Sequence, residues 1–432
     1  MDNADEPDRH ALAEMLEASR ARTLGLWRDM REEWLLGPKL AIVNPPLWEL
    51  GHLGWFQEHW CLRHRDPGEK GPSLIRTADA LYDSAGVAHA TRWTLPLPDF
   101  EETLDYLDRV LDLVLERIDL EGDDDRIRYR AQLVVFHEQM HCEAFTYTRQ
   151  TLGYPIPPNA PDVPAPAAVN SIAGDVQFPG GRFMLGADPG SGFVFDNEKW
   201  AHEVEVGPFS MARCATTFRD YLAFVEDGGY QRHDLWSVEG WAWREATGAT
   251  RPLYWCREGG VWFVRRHDNY APLPFDEAMI HVNAYEAEAW CRWARRRLPT
   301  EAEWELAAAT APGDLDRKRR YPWGNKPSLD LAALYGAPHS SVDAAAFAGG
   351  ESAWGIRQML GNVWEWTASV FQPYPGFVTD PYAEYSAPWF GDHRVLRGGC
   401  FATDPALIRN TWRNFYKPDR RDVFAGFRTC AI

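Results

Sequence analysis

An α+β fold is predicted: a four-helix bundle over residues 1–154, a linker over 155–174, and a loop-rich mixed domain over 175–432. Three observations predict it. Apolar residues recur at helical spacing in four long segments that end by Gly153. The stretch "GYPIPPNAPDVPAPAAVNSIAGD" then breaks both helix and central strand with its prolines. Beyond it the texture turns to Gly-rich turns, short strands and dispersed aromatics.

The first helix is expected in "DEPDRHALAEMLEASRARTLGLWRDM", with Leu12, Met15, Leu16 and Leu24 at helical spacing. The second lies in "NPPLWELGHLGWFQEHWCLRHR", with Asn44 as N-cap and Pro45 at the first helical position. "PDFEETLDYLDRVLDLVLERIDL" is the third amphipathic segment. The fourth begins near Arg126 and runs to Gly153, a residue suited to a C-cap. Such bundles hold metals in their interior. The linker reads as extended chain. In the second half "PTEAEWELAAA" starts a helix, with Thr300 and Glu303 as a structural capping box. No periodic repeat is visible.

A chain of 432 residues holds two to three domains at about 150 residues each. The net charge of −18 argues against nucleic acid or an anionic membrane as the main partner. The 7 cysteines are odd in number and lack CxxC spacing, so no disulfide framework is expected. The first thirty residues carry charge and no apolar leader core. No run approaches the roughly 18 apolar residues of a spanning helix. These features together predict a cytoplasmic, reduced enzyme. The 21 tryptophans suit a loop-rich domain stapled by aromatics, or an aromatic-lined site.

"VVFHEQMHCEAFTYTRQ" puts His137 and His141 four residues apart, on one helical face with Val134, Phe145 and Thr148. That spacing suits a metal site facing the bundle interior. On the second helix Trp48, His52, Trp55 and His59 also share a face. His52 sits between Gly51 and Gly54, where another helix can approach closely, whereas His59 lies by the charged "LRHR" and reads as solvated or structural. The predicted metal set is therefore His52, His137 and His141. Glu138 falls about 100° from His137, and Glu143 about 200° from His141. Glu143 reads either as a group that orients a ligand or as a solvated or capping carboxylate. The letters HExxH also spell a zinc-peptidase signature, but the HxxGxxH continuation is absent from "HEQMHCEAFTYT". Three neutral imidazoles with open positions suit zinc hydrolysis or non-haem iron with oxygen, and ligand type alone does not decide.

The second half resembles the formylglycine-generating-enzyme/sulfatase-modifying domain through "PGGRFMLGA", "FVEDGGY", "RRLPTEAEWELAAA", "RYPWGN", "QMLGNVWEWT", "VLRGGC" and "FAGFRTC". The first half resembles DinB-like four-helix bundles through "HEQMHCE" and "PPLWELGHLGWF". The resemblance implies a DinB-like bundle followed by a formylglycine-generating-enzyme-like, C-type-lectin-like mixed domain. The pairing resembles the ergothioneine sulfoxide synthase family, which uses iron(II) and molecular oxygen to form a carbon–sulfur bond at C2 of hercynine (Nα-trimethylhistidine). Within that family the chain is most similar to the selenoneine-synthase branch, which joins hercynine to a selenosugar. That similarity rests on "NPPLWELGHLGWFQEHWCLRH", "HCEAFTYTRQTLGYP", "FVFDNEKWAHEV" and "RNTWRNFYKPDRRDVFAGFRTC", and covers essentially the whole chain.

Departures from the family pattern bear on the substrate. Thr403 and Ile408 stand where formylglycine-generating enzymes carry a copper-binding cysteine pair, which argues against that chemistry. Phe371 replaces the Tyr that acts as proton donor in the sulfur enzymes, while Tyr374 keeps the second Tyr of that segment. Met140 stands where a Gln helps hold hercynine. After Arg413 the chain reads Asn414, Phe415, Tyr416, without the Asp that serves γ-glutamylcysteine. Of the family's "NSYYEAVG" only Tyr82 remains, in "ALYDSAGV". The resemblance thus implies Tyr374 and Tyr82 as catalytic candidates. It implies Tyr374, Asn414, Phe415, Tyr416, Arg413, Arg420, Phe371 and Met140 as the substrate set, with an aromatic face for the trimethylammonium group. Arg92 reads as a surface arginine. The expected activity is carbon–selenium bond formation between hercynine and a selenosugar. The alternatives are a sulfoxide synthase using cysteine or γ-glutamylcysteine, an HExxH zinc hydrolase, and a non-catalytic binding module.

Overall fold

The computed structural model describes residues 6–64, 70–158, 172–335 and 339–432. Most of the linker expected over 155–174 therefore lies outside the described residues. The chain divides into two compact units, Met1–Ala160 and Pro161–Ile432.

The first unit is helical: α1 (Arg9–Trp27), α2 (Pro46–Glu58), α3 (Ala78–Tyr82), α4 (Phe100–Glu121) and α5 (Asp125–Leu152). Asp8 caps α1 by accepting from the Ala11 amide, and Asp99 and Glu102 form a capping box on α4. Asp124 caps α5, whose other end is closed by Gly153 in the left-handed conformation, φ 71°. The start of α2 departs from expectation. Pro46, not Pro45, opens the helix, and Pro45 rather than Asn44 stands at the N-cap with extended ψ of 125°. A proline disfavours helical geometry in the residue before it, so consecutive prolines push the start back by one. The helix α2 then runs into a π turn at His59–Arg63.

Every residue of α2 is buried, which makes it the central helix of the unit. Two glycines let its neighbours close on it. A Cβ on Gly51 would lie 2.4 Å from the Tyr82 ring of α3, and one on Gly54 would lie 2.9 Å from Tyr106 of α4. The other brace is polar. Arg20 of α1, 2% exposed, donates to Glu138 Oε1 of α5 (2.9 Å), to the Leu107 carbonyl of α4 (2.7 Å) and to Gln57 of α2 (2.8 Å). Thr23 adds a bond to the same Glu138 oxygen at 2.8 Å.

The second unit is built from short strands. They are β1 (Asp175–Phe178), β2 (Gly181–Leu185), β3 (His202–Val206), β4 (Phe209–Ala212), β5 (Trp255–Glu258), β6 (Val261–Arg266) and β7 (Asn269–Pro272). After these come β8 (Arg296–Arg297), β9 (Trp364–Val370), β10 (Arg394–Arg397), β11 (Asn414–Tyr416), β12 (Ala425–Gly426) and β13 (Cys430–Ala431). Its helices are α6 (Phe218–Glu226), α7 (Val238–Thr247), α8 (Ala284–Trp293) and α9 (Glu301–Ala309). Sheet orders are β1-β4-β13-β8 and β11-β10-β9-β12, beside the pair β2-β3 and the meander β5-β6-β7. The expected capping box of Thr300 and Glu303 opens α9. Trp304, Trp364 and Trp366 are fully buried, and two of them donate within the core: Trp304 to Glu365 (2.8 Å) and Trp366 to the Val282 carbonyl (2.8 Å). This α+β architecture matches the predicted class. No described helix is long and apolar enough to cross a membrane.

The Gly51 notch is testable. In an open helix Gly→Ala stabilises by about 1 kcal/mol. Against the Tyr82 ring, Gly51→Ala is expected instead to destabilise by roughly 1–3 kcal/mol in urea unfolding, the cost of overpacking a filled core.

Candidate metal centre

Three imidazoles meet inside the helical unit. His52 comes from α2, and His137 and His141 from α5, with one ligand atom of each lying within 4.8 Å of the others. Helical geometry places the α5 pair on one face. The Gly51 and Gly54 notches keep α2 deep in the bundle, and His52 Nε2 lies 3.3 Å from His137 Nε2. His52 and His137 are buried, and the His141 side chain is about one-fifth exposed. Flat rings wall the site: Phe56 stacks on His137 at 3.5 Å and Trp48 on His52 at 5.2 Å.

Hydrogen bonds set which nitrogen of two rings faces inward. His52 Nδ1 donates to the Tyr82 carbonyl at 2.8 Å, and His141 Nδ1 donates to Glu49 Oε1 at 2.6 Å. With Nδ1 protonated on both rings, the lone pair sits on Nε2, the form a metal needs. Burial, with His141 nearby, pushes the His52 pKa down to about 3, although the Tyr82 carbonyl works the other way. Burial and the neighbouring His141 and His52 hold His137 well below the ordinary histidine value. Three imidazole donors, two of them buried, fit a divalent transition metal.

The other predicted residues fall as follows. His59 starts the π turn and is not one of the clustered histidines. Met140, half-buried, precedes His141 on α5. Tyr82 meets the site through its backbone carbonyl, while its ring fills the Gly51 notch; the geometry gives its hydroxyl no contact with the histidines. Arg92 is not a surface residue. It is buried, lies 3.8 Å over the Trp48 ring, and donates to Asn44, Ser84 and Val87. Glu143 is buried, so the solvated reading fails.

In the second unit the predicted residues gather around α9. Tyr374 donates to Glu301 Oε1 at 3.1 Å, and Arg413 stacks 4.0 Å from the Tyr374 ring centroid. Phe371 is fully buried and stacks on Phe415 at 4.2 Å. Burial raises the Tyr374 hydroxyl well above its ordinary value, so it stays protonated. Arg413 is corrected as a substrate contact. Its guanidinium is 1% exposed and is taken up by Glu301 and by the Asn197 and Gln372 carbonyls. Arg420 pairs with Asp422 at 2.7 Å and lies over Tyr416. Asn414 and Tyr416 are half-buried on β11.

Two participants escaped the sequence reading. Glu49 lies three residues before His52, a spacing that puts it on the same face, so the signal was present. Glu301 was hidden inside a stretch read only as a helix start.

A three-histidine cluster within a helical bundle, on one chain with a Trp-rich mixed domain, is the arrangement of a two-domain protein of the DinB type. Residues 15–145 match the DinB superfamily, and residues 160–431 match the sulfatase-modifying factor enzyme 1-like domain. The hercynine oxygenase of Mycolicibacterium smegmatis is 38% identical, the match covering 97% of this chain and 98% of that protein. That of Mycobacterium tuberculosis is 39% identical over 96% and 97%. The formylglycine-generating enzyme of Streptomyces coelicolor is 31% identical, covering 63% of this chain and 94% of its own. The chain belongs to the hercynine oxygenase family.

The depressed His52 pKa carries a pH dependence. Unfolded His52 binds a proton below about 6.5 and the folded residue only near 3, so stability is full above 6.5 and falls as pH drops toward 3. The melting temperature of metal-free protein should fall between pH 7.5 and pH 5, and His52→Gln should shrink that difference.

Proposed function

We propose that the chain is an oxygen-dependent, non-haem iron enzyme that forms a carbon–chalcogen bond at C2 of the hercynine imidazole. The observation that carries this reading is the triad His52, His137 and His141, the first two buried, with Nε2 turned inward on His52 and His141. Similarity to hercynine oxygenases along the whole chain supports it. His52, His137 and His141 would hold iron(II), which would supply the redox chemistry for a reaction of oxygen with the imidazole.

The protein's own groups do the positioning. Because Tyr374 donates its proton to Glu301, its oxygen is left to accept from a substrate imidazole N–H. Phe415, half-buried and backed by Phe371, offers an aromatic face to the trimethylammonium group. Such a contact contributes about 0.5–2 kcal/mol.

For the second substrate we infer a selenosugar. Phe371 replaces the proton-donating Tyr of the sulfur enzymes, Met140 replaces the Gln that holds hercynine, and the run Asn414–Phe415–Tyr416 lacks the Asp that serves γ-glutamylcysteine. A selenol is more acidic than a thiol, so its anion forms with less help from a general base, which suits Phe371 in place of Tyr. The alternative takes cysteine or γ-glutamylcysteine as donor; the name the relatives share, hercynine oxygenase, specifies hercynine and not the donor.

Anaerobically reconstituted enzyme should bind one iron(II) per chain and consume oxygen when given hercynine and a donor. Stoichiometric zinc with no oxygen uptake would reject the oxidase reading. Offering a selenosugar, cysteine and γ-glutamylcysteine in parallel should give product with the selenosugar; turnover only with a thiol would assign the sulfur branch. Tyr374→Phe should lower kcat/KM for hercynine roughly tenfold, the loss of one neutral hydrogen bond.

A further inference from the structure

Glu49 stands out among the buried groups that the triad itself does not account for. It is 2% exposed, and both carboxylate oxygens are engaged. Oε1 accepts from His141 Nδ1 at 2.6 Å, and Oε2 accepts from Asn44 Nδ2 at 3.3 Å. Asn44 Oδ1 in turn accepts from Arg92 Nη1 at 2.7 Å, and the Arg92 guanidinium lies flat over Trp48, whose ring stacks on His52. A chain of contacts thus runs from His141 through Glu49, Asn44, Arg92 and Trp48 to His52.

The two bonded ligand rings have unlike partners. His52 Nδ1 meets a neutral carbonyl, that of Tyr82, and His141 Nδ1 meets a carboxylate. A carboxylate on the far nitrogen holds the ring's tautomer and orientation and makes the near nitrogen a stronger donor than a carbonyl does. His141 is also the most exposed of the three rings, and so has the least packing to hold it. Its place depends on this bond more than the others depend on theirs.

We propose that Glu49 is a positioning residue of the metal centre: through Nδ1 it fixes His141 with Nε2 inward, and the Asn44–Arg92 chain keeps its charge compensated and its carboxylate in place. The inference rests on His52, His137 and His141 holding a metal. Glu49 touches neither metal nor substrate; it acts through His141. Its neighbour on the other ring, Tyr82, acts through backbone and has no side-chain counterpart to this role.

The test uses full-length protein and two probes, iron(II) under anaerobic conditions and cobalt(II) alone, whose visible absorption reports ligand geometry. Glu49→Gln keeps size and a hydrogen-bonding oxygen but removes the charge; Glu49→Asp keeps the charge; Glu49→Leu removes both. Glu49→Gln and Glu49→Leu should bind both metals about 10–100-fold more weakly than wild type and give an altered cobalt spectrum. Glu49→Asp should recover part of the affinity. Circular dichroism at the assay temperature selects the variants that are folded, and Glu49→Gln, the nearest isostere, carries the test if Glu49→Leu is not. Unchanged affinity and an unchanged cobalt spectrum in folded Glu49→Gln would overturn the proposal. Failure of wild type to bind either metal would instead overturn the triad reading itself, so the two failures are told apart.

Discussion

The helical unit answers to one constraint: three imidazoles, two of them buried, bring ligand atoms within 4.8 Å of one another. Burial of a charged ring is costly, and charged rings at this spacing would also repel. His52 and His137 are therefore held well below the ordinary histidine value, and a neutral ring needs a partner for its remaining N–H. The Tyr82 carbonyl and the Glu49 carboxylate provide two such partners from α3 and α2. Gly51 puts the first within reach by letting α3 lie against α2, so that one glycine sets both that helix spacing and the orientation of the His52 ring.

The second unit extends the chemistry of the Arg20–Glu138 pair: it buries formal charges and compensates them. Glu301 accepts from Arg397 and Arg413, and Glu305 from Arg397 and Lys318, within the same core. Removing one partner from such a group leaves an uncompensated buried charge, whose cost of about 3–5 kcal/mol exceeds most packing defects. This explains why Arg413, which sequence comparison alone places with the substrate, is spoken for by the protein. It holds the Tyr374 ring and the Glu301 carboxylate that receives the Tyr374 proton. A residue beside a site is not thereby in it.

The long helices were legible because each carries a 3.6-residue apolar period and most carry a polar cap, both local properties. The paired histidines were legible for the same reason, since i and i+4 share a face whatever surrounds them. What failed to show was non-local. The five-residue α3 is too short for a period, yet it brings the Tyr82 carbonyl to His52. Arg92 looks like any charged residue in a loop until Trp48 and Asn44 fold over it. His59 shares the α2 face only if the α-helix continues, and it does not, because the π turn begins there. Asn44 yields the N-cap to Pro45, the first of two prolines, because Pro46 disfavours helical geometry in the residue before it.

The HExxH spelling shows how a correct motif can carry the wrong chemistry. A hydrolase of that signature needs the Glu beside its metal as a base. Here Glu138 gives Oε1 to Arg20 and Thr23 and Oε2 to Arg20, all on α1. Its neighbour His137 faces His52 on α2. One residue along a helix is a rotation of about 100°, enough to send adjacent letters to different partners. So α5 uses one face to build the metal pocket and the next to lock α1 in place, and the buried Arg20 makes the second use exclusive of the first. A glutamate that neutralises an arginine in the core has no proton-transfer role left to offer a substrate. The same contacts that stabilise the bundle therefore remove the peptidase reading.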